Sequence, residues 1–132
     1  MRIGWIVALV VAAVLVLSGC GGSSDKADTA SNEAVSVHLL SLTSNDALAL
    51  EKRLAAKIAD KAVGAYDETR WFATDNGGEA QLLAYGPDAD ALWDAMRPVV
   101  HGSDPEPGSY AIKTYGDPLD PSAKQVRVNL PQ

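Results

Sequence analysis

A chain of 132 residues with a single cysteine, Cys20, has room for one ordinary core and cannot close an intramolecular disulfide. Its 11 basic and 17 acidic residues give a net charge of −6, a surface that repels phosphate backbones and excludes nucleic acid as a partner. The 47% hydrophobic content is inflated by the first 19 residues; the remainder is rich in alanine and holds one phenylalanine, so its core is lean.

Met1-Arg2 opens the chain with a cation, and residues 3–17 are an apolar run broken only by Gly4. That run is shorter than the ~20 residues a bilayer crossing needs. It suits the apolar region of a secretory signal, which spans roughly 7–15 residues. Leu17-Ser18-Gly19-Cys20 follows at once and resembles the lipobox of bacterial lipoproteins. The resemblance implies a signal peptide over residues 1–19 and cleavage of the Gly19–Cys20 bond. It also implies a diacylglyceryl group on the Cys20 thiol, carrying two palmitate-type acyl chains. Acyl chains in the plural matter, because one anchors only marginally while two anchor stably. The resemblance thus makes the membrane a partner through the lipid on Cys20 and the cell envelope the location. Gly21 is not the aspartate that retains such proteins in an inner membrane, which implies the outer membrane, facing the periplasm, where the host has two.

Residues 21–34 contain no large apolar side chain and cannot offset the entropy of ordering, so residues 20–34 read as a lipid-anchored flexible tether. Such a tether averages about 20 Å end to end and stretches to about 45 Å. Residues 35–132 read as a single α+β domain.

Within it, Val35, Val37 and Leu39 alternate with Ser36 and His38, the period of a half-buried strand. Thr43 or Ser44 offers an N-cap. Ala47, Leu50, Leu54 and Ile58 then form the apolar stripe of a helix whose charges suit its dipole, with Gly64 as its stop. Strands over residues 66–73 and 79–85 flank Asp75-Asn76-Gly77-Gly78, which predicts a two-residue turn at Asn76-Gly77 or Gly77-Gly78. Gly86-Pro87-Asp88 ends the second, and Asp88 can cap the next element. A second helical stripe follows in Leu92, Trp93, Met96, Val99 and Val100, bent or shortened by Pro98. Strands over residues 109–115 and 125–130 complete the chain.

The order β-α-β-β-α-β-β resembles the ferredoxin-like two-layer sandwich, an α+β fold. It implies an antiparallel sheet of four to five strands with two helices on one face. That fold hosts many unrelated functions and selects none. Gly77-Gly78-Glu79, residues 85–92, Arg97-Pro98 and Tyr115-Gly116 also resemble a pattern shared by small uncharacterised bacterial proteins. That resemblance implies one compact domain and no activity.

Candidate chemistry is sparse. His38 and His101 are the only histidines, and a histidine-based nucleophile or zinc site needs partners that converge in space. Asp88, Asp90 and Asp94 suggest a metal, yet residues 88 and 90 point roughly 200° apart on a helix, and capping accounts for them. Asp67 and Glu68 are neighbours on a strand and face opposite sides. Asp104, Glu106, Asp117 and Asp120 read as solvated loop charge. No serine lies in Gly-x-Ser-x-Gly or Ser-x-x-Lys. Trp93 lies on the apolar stripe as a core plug, whereas Trp71 is divided between core and a sugar-stacking platform. No catalytic, cofactor or metal site emerges.

Strand parity supplies one surface. With Val35, Val37, Val126, Val128 and Ile112 inward, the sheet face away from the helices would gather His38, Lys113, Tyr115 and Arg127. A cationic and aromatic patch of that kind suits an anionic or carboxylate-bearing partner, or an envelope protein. The expected function is a non-enzymatic, membrane-anchored interaction module. Two readings compete with it: a small envelope hydrolase with an unrecognised site, and an assembly factor that forms a homodimer through its open sheet face.

Overall fold

A computed structural model of the chain describes residues 32–74 and 77–131. The signal peptide, the Gly19–Cys20 bond and most of the tether lie outside the described residues. Strand β1 (Glu33–Leu40) begins two residues inside the stretch expected to be tether. The physical reason lies in Glu33 and Ala34. Ala34 is buried, and the Glu33 carboxylate accepts from the Ala89 N–H at 2.7 Å and the Gly116 N–H at 3.3 Å. Two elements far along the chain thereby fix the start of β1.

Helix α1 (Ser44–Lys61) starts at Thr43, whose Oγ1 accepts from the Asp46 N–H at 3.2 Å and donates to Asp46 Oδ2 at 2.6 Å. Its predicted stripe of Ala47, Leu50, Leu54 and Ile58 is buried throughout. The helix ends on Ala62 in the left-handed region, φ 51°, rather than on Gly64. Gly64 serves a different purpose. A Cβ there would lie 2.0 Å from Tyr85 O, and one on Gly86 would lie 2.2 Å from Val63 O. Two backbones cross at this point with no space for a side chain on either.

Strands β2 (Ala65–Thr74) and β3 (Gly77–Gly86) pair antiparallel, with a bulge between Tyr66 and Glu68. Pairing closes at Thr74 opposite Gly77, so the connecting residues are 75 and 76, one place earlier than the expected Asn76-Gly77 turn and two places earlier than the alternative Gly77-Gly78. Those two lie outside the described residues. Helix α2 (Ala89–Gly102) is capped by Asp88, whose side chain accepts from the N–H groups of Asp90 and Ala91. It runs four residues past Pro98, which therefore does not shorten it. Strands β4 (Tyr110–Tyr115) and β5 (Lys124–Asn129) complete a sheet ordered β2-β3-β1-β4-β5, antiparallel at every pairing.

This is the ferredoxin-like two-layer sandwich with a fifth strand added beside β4. Val35, Val37 and Leu39 meet Leu50, Leu54 and Ile58 of α1 and Leu92, Met96 and Val100 of α2 in one core. Each such side chain contributes about 1.5–3 kcal/mol by leaving water. Both helices cover the same side of the sheet. Among the described residues its other side carries no helix and is open.

Candidate functional site in the open sheet face

Register assigns side chains to the open face. Val37 lies opposite Leu82 and Ala111 under the helices, so their strand neighbours point the other way. One row across the open face runs Arg70, Gln81, His38, Tyr110 and Asn129; the next runs Glu68, Leu83, Ser36, Ile112 and Arg127.

Four polar side chains in the middle of this face form one hydrogen-bonded chain. His38 Nδ1 lies 2.6 Å from Glu79 Oε1, and His38 Nε2 lies 2.8 Å from Ser36 Oγ. Gln81 Nε2 donates to the same Oγ at 2.8 Å. A carboxylate can only accept, so the His38 Nδ1 carries a proton toward Glu79. In the neutral imidazole Nε2 is then the acceptor, and it takes the Ser36 hydroxyl proton. The Gln81 amide meets the oxygen from its lone-pair side, which leaves that proton to the imidazole. Ser36 is 9% exposed, while the His38 and Glu79 side chains are 13% and 21% exposed.

Aromatic stacking holds the imidazole still. The Tyr110 ring lies parallel to it with centroids 4.5 Å apart, and the Arg127 guanidinium lies 3.7 Å from the centre of the Tyr110 ring. His38, Tyr110 and Arg127 come from three adjacent strands, β1, β4 and β5. Cation–π contact of this kind at a partly exposed site contributes about 0.5–1 kcal/mol.

Above the polar chain is a depression of about 350 Å³. It is lined from the sheet by Ser36, His38, Gln81, Leu83 and Ile112, with Arg70 and Tyr85, and from the β4–β5 loop by Leu119. Burial, followed by the nearby Asp67 carboxylate, pushes the Tyr85 hydroxyl above its ordinary value, so it remains a donor. Arg70 pairs with Glu68 on β2. Asn32 borders a second, smaller depression with Tyr85, Asp117, Pro118 and Leu119.

The four residues that parity was expected to gather are divided. His38 and Arg127 lie on the open face, as predicted. Lys113 and Tyr115 lie on the helix side, because Lys113 is opposite Val35 and Tyr115 shares its parity. The expectation failed at Ile112, which points outward opposite Ser36 while Ala111 sits beneath the helices. Only a small side chain is used at position 111, which is fully buried against the core. Lys113 Nζ and Tyr115 Oη instead both donate to Asp90 Oδ1 at 2.6 Å. Hydrogen bonds from Lys113 and then Tyr115 hold the Asp90 carboxyl below its usual value, and Asp90 holds the Lys113 amine above its own. The open face thus loses a cation to the helix side and acquires Glu68 and Glu79, so the cationic patch is replaced by a charge-balanced surface.

Other residues with chemical promise are accounted for structurally. Trp93 is buried in the core and meets the exposed His101 edge-on, whereas Trp71 is 47% exposed near the β2–β3 tip. Asp120 accepts from the Ser122 backbone and hydroxyl, which lower its carboxyl value. Among the described residues, no group of three or more His, Cys, Asp or Glu side chains could hold a metal ion. No helix among them is long and apolar enough to cross a membrane.

Ser36, Glu79 and Gln81 were missed by sequence reasoning. The Ser36-x-His38 alternation puts both on one face, and Glu79-x-Gln81 repeats the pattern on β3. Only the adjacency of β1 and β3 brings the two pairs together. No protein-family model, curated protein or solved structure matches this chain.

Proposed function

We propose that this protein is a lipid-anchored module of the cell envelope that holds a small carbonyl- or carboxylate-bearing ligand in the depression of its open sheet face. One observation carries the reading: the hydrogen-bonded chain Glu79–His38–Ser36–Gln81 lies at the centre of the sheet side that carries no helix among the described residues. A merely solvated face has no need to fix four side chains and clamp one of them beneath an aromatic ring. Preorganised polar groups beside apolar walls are what a ligand cleft requires.

The donors select the ligand class. The second N–H of Gln81, the Arg70 guanidinium and the Tyr85 hydroxyl all offer protons around the cavity, which suits an acceptor-rich head. Leu83 and Ile112 suit a short apolar tail. At about 350 Å³ the space admits a small molecule or one peptide side chain, near the lower end of the roughly 300–1,000 Å³ range of ligand clefts.

The anchor follows from Leu17-Ser18-Gly19-Cys20, with Cys20 as the acylated mature N-terminus. Asn32, the first described residue, shares a small depression with Tyr85 and Leu119, both of which also line the larger one. Mass spectrometry of the mature protein tests the anchor: a diacylglyceryl adduct on an N-terminal Cys20 is expected, and an unmodified chain beginning at Met1 overturns it. Backbone NMR of the full chain in detergent, titrated with short-chain carboxylates, tests the ligand reading. Shifts confined to the neighbourhood of Ser36, His38, Gln81 and Ile112 are expected; shifts elsewhere, or none at saturating ligand, overturn it.

A further inference from the structure

We infer that Ser36, His38 and Glu79 form a nucleophile relay, and that the depression takes small carboxylic esters with weakly basic leaving groups. The inference rests on the open-face depression being the working site. Its first support is connectivity. The hydroxyl lies against Nε2 and the carboxylate against Nδ1, so the ring bridges them in the order that moves a proton away from an attacking oxygen. The second is the Gln81 amide, which donates to Oγ and so leaves the hydroxyl proton free to turn toward the imidazole. The third is the parallel Tyr110 ring, which prevents the imidazole from turning out of line. The fourth is access, since Ser36 and His38 both border the depression.

In the reaction, Ser36 Oγ attacks the ester carbonyl carbon while its proton passes to His38 Nε2. The carbonyl π pair moves to oxygen, which gains a negative charge. Glu79 stabilises the imidazolium through Nδ1. Collapse of the tetrahedral adduct breaks the bond to the leaving oxygen, which takes the proton from Nε2 and departs as an alcohol. Water repeats the sequence on the acyl-serine: its proton goes to His38, the acyl group leaves as a carboxylic acid, and the proton returns to Ser36.

The oxyanion support explains the restriction on substrate. Ser36 belongs to a strand bonded on both edges, so the backbone N–H groups around it are engaged in the ladder. The Gln81 side chain, 2.8 Å from Oγ, is the donor in position to meet the developing charge. Removing one such donor typically costs ~10²–10³ in rate. With Gln81 as the side-chain donor hydrogen-bonded at Oγ, the site is expected to cleave activated aryl esters and leave amides intact.

The experiment uses the full chain in detergent with two probes, a fluorophosphonate and p-nitrophenyl butyrate. A covalent fluorophosphonate adduct on the peptide containing Ser36 is expected, and its mapping on the unaltered protein requires no variant. Release of p-nitrophenol is expected to fall at least ~100-fold in Ser36→Ala and ~10²–10⁴-fold in Glu79→Gln. Because Glu79 is a positioning residue, the residual rate of Glu79→Gln should rise continuously with hydroxide, without the plateau that a held imidazole base gives. An unlabelled Ser36 under conditions that modify a control serine esterase overturns the relay, as does an unchanged rate in Ser36→Ala with a native circular dichroism spectrum. Butyrate seated in the depression without acylation overturns the relay while the binding reading stands; absence of both overturns both.

Discussion

If the His38–Glu79 contact is a held, partly desolvated hydrogen bond, a double-mutant cycle should measure it directly. His38→Phe keeps a flat ring on Tyr110 but removes both nitrogens, and Glu79→Leu removes the acceptor. Hydrogen bonds to charged groups contribute about 1.5–3 kcal/mol, whereas exposed ion pairs contribute about 0.2–1 kcal/mol. With side chains 13% and 21% exposed at 2.6 Å, the pair belongs nearer the first class. Its expected coupling is about 1.5–2 kcal/mol. Urea unfolding monitored by tryptophan fluorescence reads each corner of the cycle, and 1.5 kcal/mol moves a midpoint by roughly 0.5–1.5 M at ordinary m-values. The Arg70–Glu68 pair, with side chains 51% and 44% exposed, supplies an internal comparison. Its coupling should fall within the range of exposed pairs. A His38–Glu79 coupling below about 0.5 kcal/mol, or one no larger than that of Arg70–Glu68, refutes the reasoning that burial and stacking hold the relay together.

Leu54 has no exposure in the core, and Leu54→Ala should cost about 2–5 kcal/mol in chemical unfolding, with the m-value unchanged. Gly86→Ala places a Cβ 2.2 Å from Val63 O, where the neighbour is backbone and cannot rotate aside, so it should cost more than the ~1–3 kcal/mol of ordinary overpacking; a thermal midpoint equal to that of the unaltered protein contradicts this. Asp90 should titrate below the usual carboxylate range by carboxyl-carbon NMR, and Lys113→Met should return it toward that range. Since its folded value is depressed, its stabilising contribution is present above the ordinary carboxylate value and is lost as pH falls through the depressed one. Asp90→Asn should remove that part of the acid dependence, and an unchanged acid limb of the stability curve counts against it.

Much of the fold was legible because the two helices each carry a period that nothing else in the chain imitates. Ala47, Leu50, Leu54 and Ile58 could face a core only as a helix, and all four do. Boundaries were less legible where they depend on distant partners. Glu33 looks like tether until the Ala89 and Gly116 N–H groups are brought to it. Gly64 looks like a helix stop, yet its purpose is to let the chain pass against Tyr85 and Gly86, a contact between segments some 20 residues apart.

The error in β4 has a physical cause that bears on function. Alternation is read on the assumption that the apolar members of a strand face the core and the rest face water. In Tyr110–Tyr115 the assumption selects Ile112 as inward, and it fails because both faces of this strand carry apolar surface. Ala111 is what the crowded side beneath the helices accepts opposite Val37. Ile112 and Tyr110 go to the open side, while Tyr115 packs toward the core. Leu83 on β3 repeats the pattern: it is buried, although it belongs to the open face. An open face that only met solvent would have no use for these residues. Here Ile112 and Leu83 line the depression, and Tyr110 stacks on the imidazole. Local rules are expected to fail at functional or strained sites, where a residue is kept for something other than the pattern. The one strand whose parity was misread is the strand that supplies both an apolar lining residue and the stacking ring of the candidate site.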